Sequence, residues 1–151
     1  MDKFSIKQVY NKLRGVFVKV DWRRLTCNNC GCPKWVFILQ LVMLRRIYTK
    51  DRLARWGLIQ NKVCSLCEEE DESIEHLFFE CTFSNALWTT MLRWMGLHRA
   101  AMGWQQEVTW AINYAKGQNA AADAYRLVLG AVFIIYGLRE TTDNSKGRRV
   151  R

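Results

Sequence analysis

Four residues, Cys64, Cys67, His76 and Cys81, stand in the pattern Cys-x2-Cys-x8-His-x4-Cys. A thiolate pair two residues apart grips one ion from a tight turn, and a later imidazole and thiolate close the tetrahedron from the next element. Three thiolates and one imidazole form the Cys3His set that suits structural zinc. With four protein groups filling the shell, no position is left for a substrate or an activated water. Such a site holds structure and does no chemistry. Glu75 and Glu80, beside the last two ligands, are placed to accept from the second imidazole nitrogen, while Glu68–Glu72 read as a solvated loop. The opposing reading, a redox-active Cys-x-x-Cys, needs a βαβ context that the sequence lacks. The x8 gap also exceeds the x4 of the compact retroviral-type knuckle. Cys27, Cys30 and Cys32 form a second cluster with no fourth ligand nearby, His98 being remote, and read as free thiols.

No other constellation suggests catalysis. There is no Gly-rich phosphate loop, no nucleophile elbow and no carboxylate pair in an apolar setting, so the chain reads as a non-enzyme without a small-molecule substrate. Charge points elsewhere. Residues 1–62 carry 14 Lys and Arg against 3 Asp and Glu, whereas residues 63–81 carry 7 acidic groups and no basic one. The basic half attracts a polyanion and the metal loop repels one. Arg45, Arg46, Lys50, Arg52 and Arg55 lie among Trp35, Tyr48 and Trp56, a mixture of phosphate-binding cations and base-stacking rings that suits single-stranded nucleic acid. The plain alternative is a solvated helix face with core tryptophans at helical spacing. The terminus Gly147-Arg148-Arg149-Val150-Arg151 is a weaker polyanion signal.

The elements that must position these groups are helical. Ser5 precedes Ile6, Val9, Tyr10 and Leu13, a short capped helix ending near Gly15, and Val16–Cys32 reads as irregular. Pro33 opens an apolar helix through Leu44, Pro being suited to a first turn. Its apolar residues on all sides imply burial on most faces or a partner on one. Thr49 is placed to cap a helix stopped by Gly57. Ile74–Phe79 reads as a short helix presenting His76 inward. Thr82 or Ser84 caps the next helix, which ends at Gly96. Trp104, Val108, Ala111, Ile112 and Ala115 form an amphipathic stripe, and Ala120–Leu138 is a last long helix. The apolar stretches Trp35–Leu39 and Leu127–Leu138 fall short of the ~20 residues of a membrane span. No secretory h-region is evident, so a reducing compartment, nuclear or cytoplasmic, is expected.

An ordered series of residues carries a resemblance: Phe4-Ser5-Ile6-Lys7, Pro33-Lys34 before an apolar helix, Arg46-Ile47-Tyr48-Thr49-Lys50-Asp51-Arg52-Leu53, Cys64-Ser65-Leu66-Cys67, Glu75-His76-Leu77-Phe78-Phe79-Glu80-Cys81 and Trp88. From about Phe4 to Trp94 the chain resembles the zinc-binding domain at the C-terminal end of plant non-LTR retrotransposon reverse transcriptases. The resemblance implies a bound Zn2+ and an accessory nucleic-acid role, with no polymerase module in this chain. The expected fold is mainly α, an irregular helical array stapled by one Cys3His zinc site. Residues 1–96 would form the zinc-binding domain, 97–139 helices packed on it, and 140–151 a disordered basic tail. The expected function is a non-catalytic zinc domain that binds RNA or DNA with low specificity. The alternative is a protein-interaction module that uses its apolar helices.

Overall fold

Seven α-helices and one π-helical turn build the described part of the molecule. Its only ladder there is a single antiparallel bridge between Val63 and Asp71. The structure, a computed structural model, describes residues 5–15, 18–27 and 30–146, with the backbone alone from 138 onwards. In chain order the elements are α1 (Ile6–Arg14), α2 (Arg23–Cys27), α3 (Pro33–Met43), α4 (Lys50–Arg55), the π turn (His76–Glu80), α5 (Thr82–Trp94), α6 (Trp104–Tyr114) and α7 (Ala120–Lys146). The mainly α expectation holds.

Helix ends follow local chemistry. Pro33 opens α3 in its first turn, where a missing N–H is harmless. Gly57 and Gly96, both at positive φ, close α4 and α5. In each case the last two amides reach back to carbonyls three and five residues earlier, as from Gly57 to Ala54 and from Leu58 to Leu53, the double bond of a Schellman ending. At the end of α3 the same ending is made by Arg45, at φ 54°. Its amide bonds Val42 and that of Arg46 bonds Leu41.

Three segments depart from the sequence reading. The stretch read as irregular contains α2, whose Leu25 and Thr26 are buried against the core. The helix α3 is less enclosed than its composition implies: only Leu39 and Val42 are fully buried, and Phe37 is exposed. The helix α7 runs to Lys146, through residues expected to belong to a tail. No glycine or proline interrupts the chain between Leu138 and Gly147, so the backbone bonds propagate. Gly147–Arg151 lie outside the described residues.

The core is aromatic. Phe78 and Phe79 of the π turn meet Trp88 of α5, Trp104 of α6 and Phe133 and Tyr136 of α7, with the Phe78 and Phe133 rings 4.5 Å apart. By length and composition Ala120–Gly137 could cross a bilayer, a longer window than the apolar run suggested, but half of it is buried inside the protein. Arg126, 2% exposed, anchors that half by donating to Ala115 O (2.7 Å) and Gly117 O (3.2 Å) at the end of α6. A cation there complements the helix dipole. Glu107 is buried completely, and its carboxylate accepts from Trp88 Nε1, from both Arg99 terminal nitrogens and from Met102 N.

Candidate metal centre

The chain turns back on itself to make the first half of the site. Cys64 N donates to Glu70 O (2.8 Å) and Glu68 N to Cys64 O (2.9 Å), while Val63 pairs with Asp71. Glu68 adopts φ 58° to complete the turn. Leu66 N points at Cys64 Sγ from 3.4 Å, an amide directed at a sulfur that carries negative charge when it binds metal. This loop fixes Cys64 and Cys67 on one side.

The π turn and Cys81, the residue that ends it, supply the other two ligands, and the shape of the turn explains the His-x4-Cys interval. In an α-helix residues five apart are rotated about 140° from each other. Here Cys81 N bonds His76 O at 2.7 Å, an i→i+5 closure that widens the turn and brings residues 76 and 81 to the same side. The widening leaves carbonyls to be satisfied from α5. Ser84 Oγ donates to Leu77 O (2.6 Å) and Asn85 Nδ2 to Phe79 O (2.8 Å). Ser84, expected as a possible cap, therefore sits inside α5 and holds the π turn. The N-cap position belongs to Cys81.

The ligand atoms of Cys64, Cys67, His76 and Cys81 all lie within 4.8 Å of one another, with Cys64, His76 and Cys81 buried. Tetrahedral zinc with sulfurs near 2.3 Å sets sulfur–sulfur edges of about 3.8 Å and a sulfur–nitrogen edge of about 3.6 Å. Cys67 Sγ and His76 Nε2 are 3.3 Å apart, so small shifts seat the ion. Nε2 is thus the donor nitrogen. Nδ1 faces Glu70 Oε2 at 3.2 Å, within ionic reach but not aligned as a hydrogen bond. The carboxylate partner is therefore Glu70, in place of the expected Glu75 or Glu80. Glu75 is turned to Arg45 instead.

The thiols differ. Burial, reinforced by the neighbouring Cys81 and Cys67, pushes Cys64 up to about 12 against the pull of the Cys67 and Leu66 amides. For Cys67 a burial penalty is outweighed by the Glu69 and Glu70 amides and by contacts with His76 and Cys81, leaving it at about 7. Such a set releases protons as it takes a cation. Cys27, Cys30 and Cys32 are free and exposed. They join no metal-binding group among the described residues, where the Cys64 group alone gathers.

Residues 4–88 match the family model described as zinc-binding in reverse transcriptase. The chain belongs to this family. All four ligands fall inside the matched segment of the reverse-transcriptase zinc-binding domain, and Zn2+ fits both the family and the donor set. The match ends at 88, somewhat short of the expected Trp94, and only the zinc-binding module is matched, not a polymerase. Searches of curated proteins and of solved structures returned no match.

In this zinc-binding domain most of the basic run identified from sequence is engaged internally. Lys50 Nζ donates to Val63 O (2.8 Å) and to Ser65 Oγ, clamping the metal loop. Arg45 pairs with Glu75. Arg52 donates to Arg45 O and Ile47 O and lies 5.4 Å above the Trp56 ring. Arg55 pairs with Asp51 at 2.6 Å. Arg46 is exposed and turned to solvent. Among the acidic residues read as solvated, Glu72 is completely buried, and its Oε1 accepts Lys50 N at 2.9 Å. It thereby caps α4, whose expected cap, Thr49, turns its hydroxyl to Asp51. No sequence signal marks Glu70 or Glu72 for these roles, since both act across a loop closure.

Proposed function

We propose that this chain is a non-catalytic, zinc-stapled nucleic-acid-binding domain of retrotransposon derivation. The carrying observation is the excess of 14 cationic over 3 acidic residues in positions 1–62, joined to a metal site whose four donors all come from protein. A closed tetrahedral set stabilises a fold and leaves no coordination position for a reactant. A surface so charged draws phosphate chains by counterion release. Within the acidic segment 63–81 Glu75 is paired with Arg45, while Glu70 stays largely exposed, so the segment repels a polyanion and leaves the basic half to meet it. Arg46 is available to a phosphate directly. Arg45, Lys50, Arg52 and Arg55 reach one only by leaving their present contacts.

The test is binding of labelled RNA and DNA by the zinc-loaded protein across a salt series. Affinity that falls steeply with salt supports the proposal. No binding at low salt, or binding indifferent to salt, refutes it.

One observation favours a second reading, a protein-interaction module. Ile6, Val9, Tyr10 and Leu13 line one side of α1 and are all exposed, Leu13 at 83%. That stripe has the i, i+3, i+4, i+7 spacing of a face made to be covered. Phe37, from the α3 segment first suspected, is exposed as well. If nucleic-acid binding fails, self-association that Leu13→Glu abolishes would support this reading, and a monomer at all concentrations would count against self-pairing.

A further inference from the structure

The helix α6 separates two depressions, and their chemistries are complementary. On one side, a cleft of about 550 Å³ lies between α6 and the segment that leads into α2. Four cations line it, Lys19, Arg23, Arg24 and Lys116, against the single carboxylate of Asp21. All four are exposed. Arg24 donates to Lys116 O at 3.3 Å and Lys116 Nζ to Asn113 Oδ1 at 2.8 Å. Among the described residues Lys19 and Arg23 are not engaged in this way, and both line the cleft. On the other side of α6, a second depression of about 550 Å³ is walled by Trp110 and Tyr114, with Met102 and Gln106 beside them. The two rings are stacked 4.5 Å apart with planes 15° from parallel, and the Arg99 guanidinium lies 3.9 Å from the Trp110 centroid. Both rings also pack on Tyr125, at 5.3 and 5.4 Å, so their arrangement is fixed by contacts within the protein.

Gln105, Thr109 and Asn113 line both depressions. They form a ridge of amide and hydroxyl groups, one turn apart. The Gln105 amide can donate and accept, and the Asn113 amide can donate while its Oδ1 accepts Lys116 Nζ. Thr109, whose proton goes to Gln105 O at 2.8 Å, can accept. Cations on one flank suit phosphates. Aromatic rings and amides on the other suit the faces and edges of unpaired bases. A duplex keeps its bases stacked inside and cannot use the second flank. We propose that α6 is the ridge on which a single nucleic-acid strand sits, its phosphates along Lys19, Arg23, Arg24 and Lys116 and its bases toward Trp110 and Tyr114. The proposal rests on the nucleic-acid reading above and gives it a location. That location is removed from the Arg45–Arg55 run, and one of its walls comes from beyond the family-matched residues 4–88.

The test uses the full zinc-loaded chain, a fluorescently labelled single strand of about 20 nucleotides, its duplex, and polyglutamate as a competitor, with binding followed by anisotropy across a salt series. The variant Lys19→Gln/Arg23→Gln removes two cleft charges. Lys7→Gln/Lys12→Gln removes the same charge from α1. All four side chains are exposed, so both variants should melt with the wild type. Each phosphate contact on a single strand contributes about 0.7 to the salt slope, so the cleft variant should flatten it by about 1.4 and weaken binding about 25-fold at 0.1 M salt. The α1 variant should change affinity less than about threefold, and the single strand should be preferred to the duplex by about tenfold or more. Equal losses in the two variants, or no loss in the cleft variant while the wild type binds, would overturn the placement and leave the nucleic-acid reading standing. Equal affinity for strand and duplex, or polyglutamate competing as well as the strand, would overturn the base-binding flank. A wild type that binds no strand at low salt would remove both proposals together.

Discussion

Zinc affinity should climb with pH, and the site sets by how much. Thiolate is the ligand, so every thiol still protonated at a given pH must lose its proton when the metal enters. Cys64 is the decisive group. It is fully buried, and in the metal-free site that burial pushes its thiol up to about 12. It therefore carries a proton throughout the range from about pH 6 to pH 9, and releasing it makes apparent affinity rise about tenfold per pH unit. Cys67 titrates at about 7, because the Glu69 and Glu70 amides and the His76 and Cys81 contacts outweigh its burial penalty. It adds a second proton below neutrality and little above pH 8. Between pH 6 and pH 8 these two thiols contribute about 100-fold and about 10-fold, so the dissociation constant should fall at least about 1000-fold, before any proton that Cys81 releases is counted. The slope should be steeper below pH 6 than above pH 8, because Cys67 as well as Cys64 must release a proton there. Competition with a chromophoric chelator of known proton linkage, run at several pH values, measures this directly. A change below tenfold over the same interval would show that Cys64 is not a ligand, whatever metal is found in the protein.

Chelation, His76→Ala and Cys81→Ser should each abolish stoichiometric zinc and lower stability by about 3 kcal/mol or more, near 10 °C in melting midpoint for a chain of this size. Cys30→Ser, at an exposed thiol outside the site, should do neither, and equal damage from all the variants would undo the ligand assignment. Glu107→Ala strips the buried acceptor shared by Trp88, Arg99 and Met102 N, and should cost about 3–5 kcal/mol in denaturant unfolding. A loss under about 1 kcal/mol would show that the pair is not closed in solution. Glu72→Ala removes the carboxylate that caps α4 and should cost about 1–2 kcal/mol, read in the same experiment. An unchanged midpoint would refute the cap. Chelation should also weaken nucleic-acid binding, measured as anisotropy at fixed salt, and binding that improves on metal loss would refute the coupling argued below.

Much of the fold was legible because it is written in local terms. Pro33, Gly57 and Gly96 mark helix ends that the structure places where sequence implied. The ligand quartet was legible because spacing is a property of the chain itself. What escaped is what depends on pairing across space. The π turn looks like ordinary helix in the string His76–Glu80, and its widening shows only in the Cys81 N to His76 O bond. The Schellman ending at Arg45 lacks the glycine that would advertise it. The burial of Leu25 and Thr26, hence α2, follows from packing against α3 and α6 that no short window contains. Charge misled in a similar way. The run Arg45–Arg55 counts as cationic in sequence, but a count cannot show that Lys50 is committed to the metal loop and Arg45 to Glu75.

Those commitments make the zinc site and the basic half one mechanical unit. Lys50 reaches Val63 O, Glu72 reaches back to Lys50 N, and Asp51 N bonds Glu72 O at 3.2 Å. The metal loop and α4 thus anchor each other. On its other side the site continues through the π turn into α6, and α6 packs on α2, so the walls of the cationic cleft hang from the same metal. Charge and geometry then predict opposite signs for metal removal. A dication on three thiolates carries about one negative charge, and re-protonating the thiols erases it. By charge alone the metal-free protein should hold a polyanion slightly better. If the cleft depends on α2 and α6 being held in register, loss of the ion scatters its cations and binding falls. The sign of the change therefore separates a zinc ion that positions the phosphate-binding surface from one that merely stabilises a neighbouring loop.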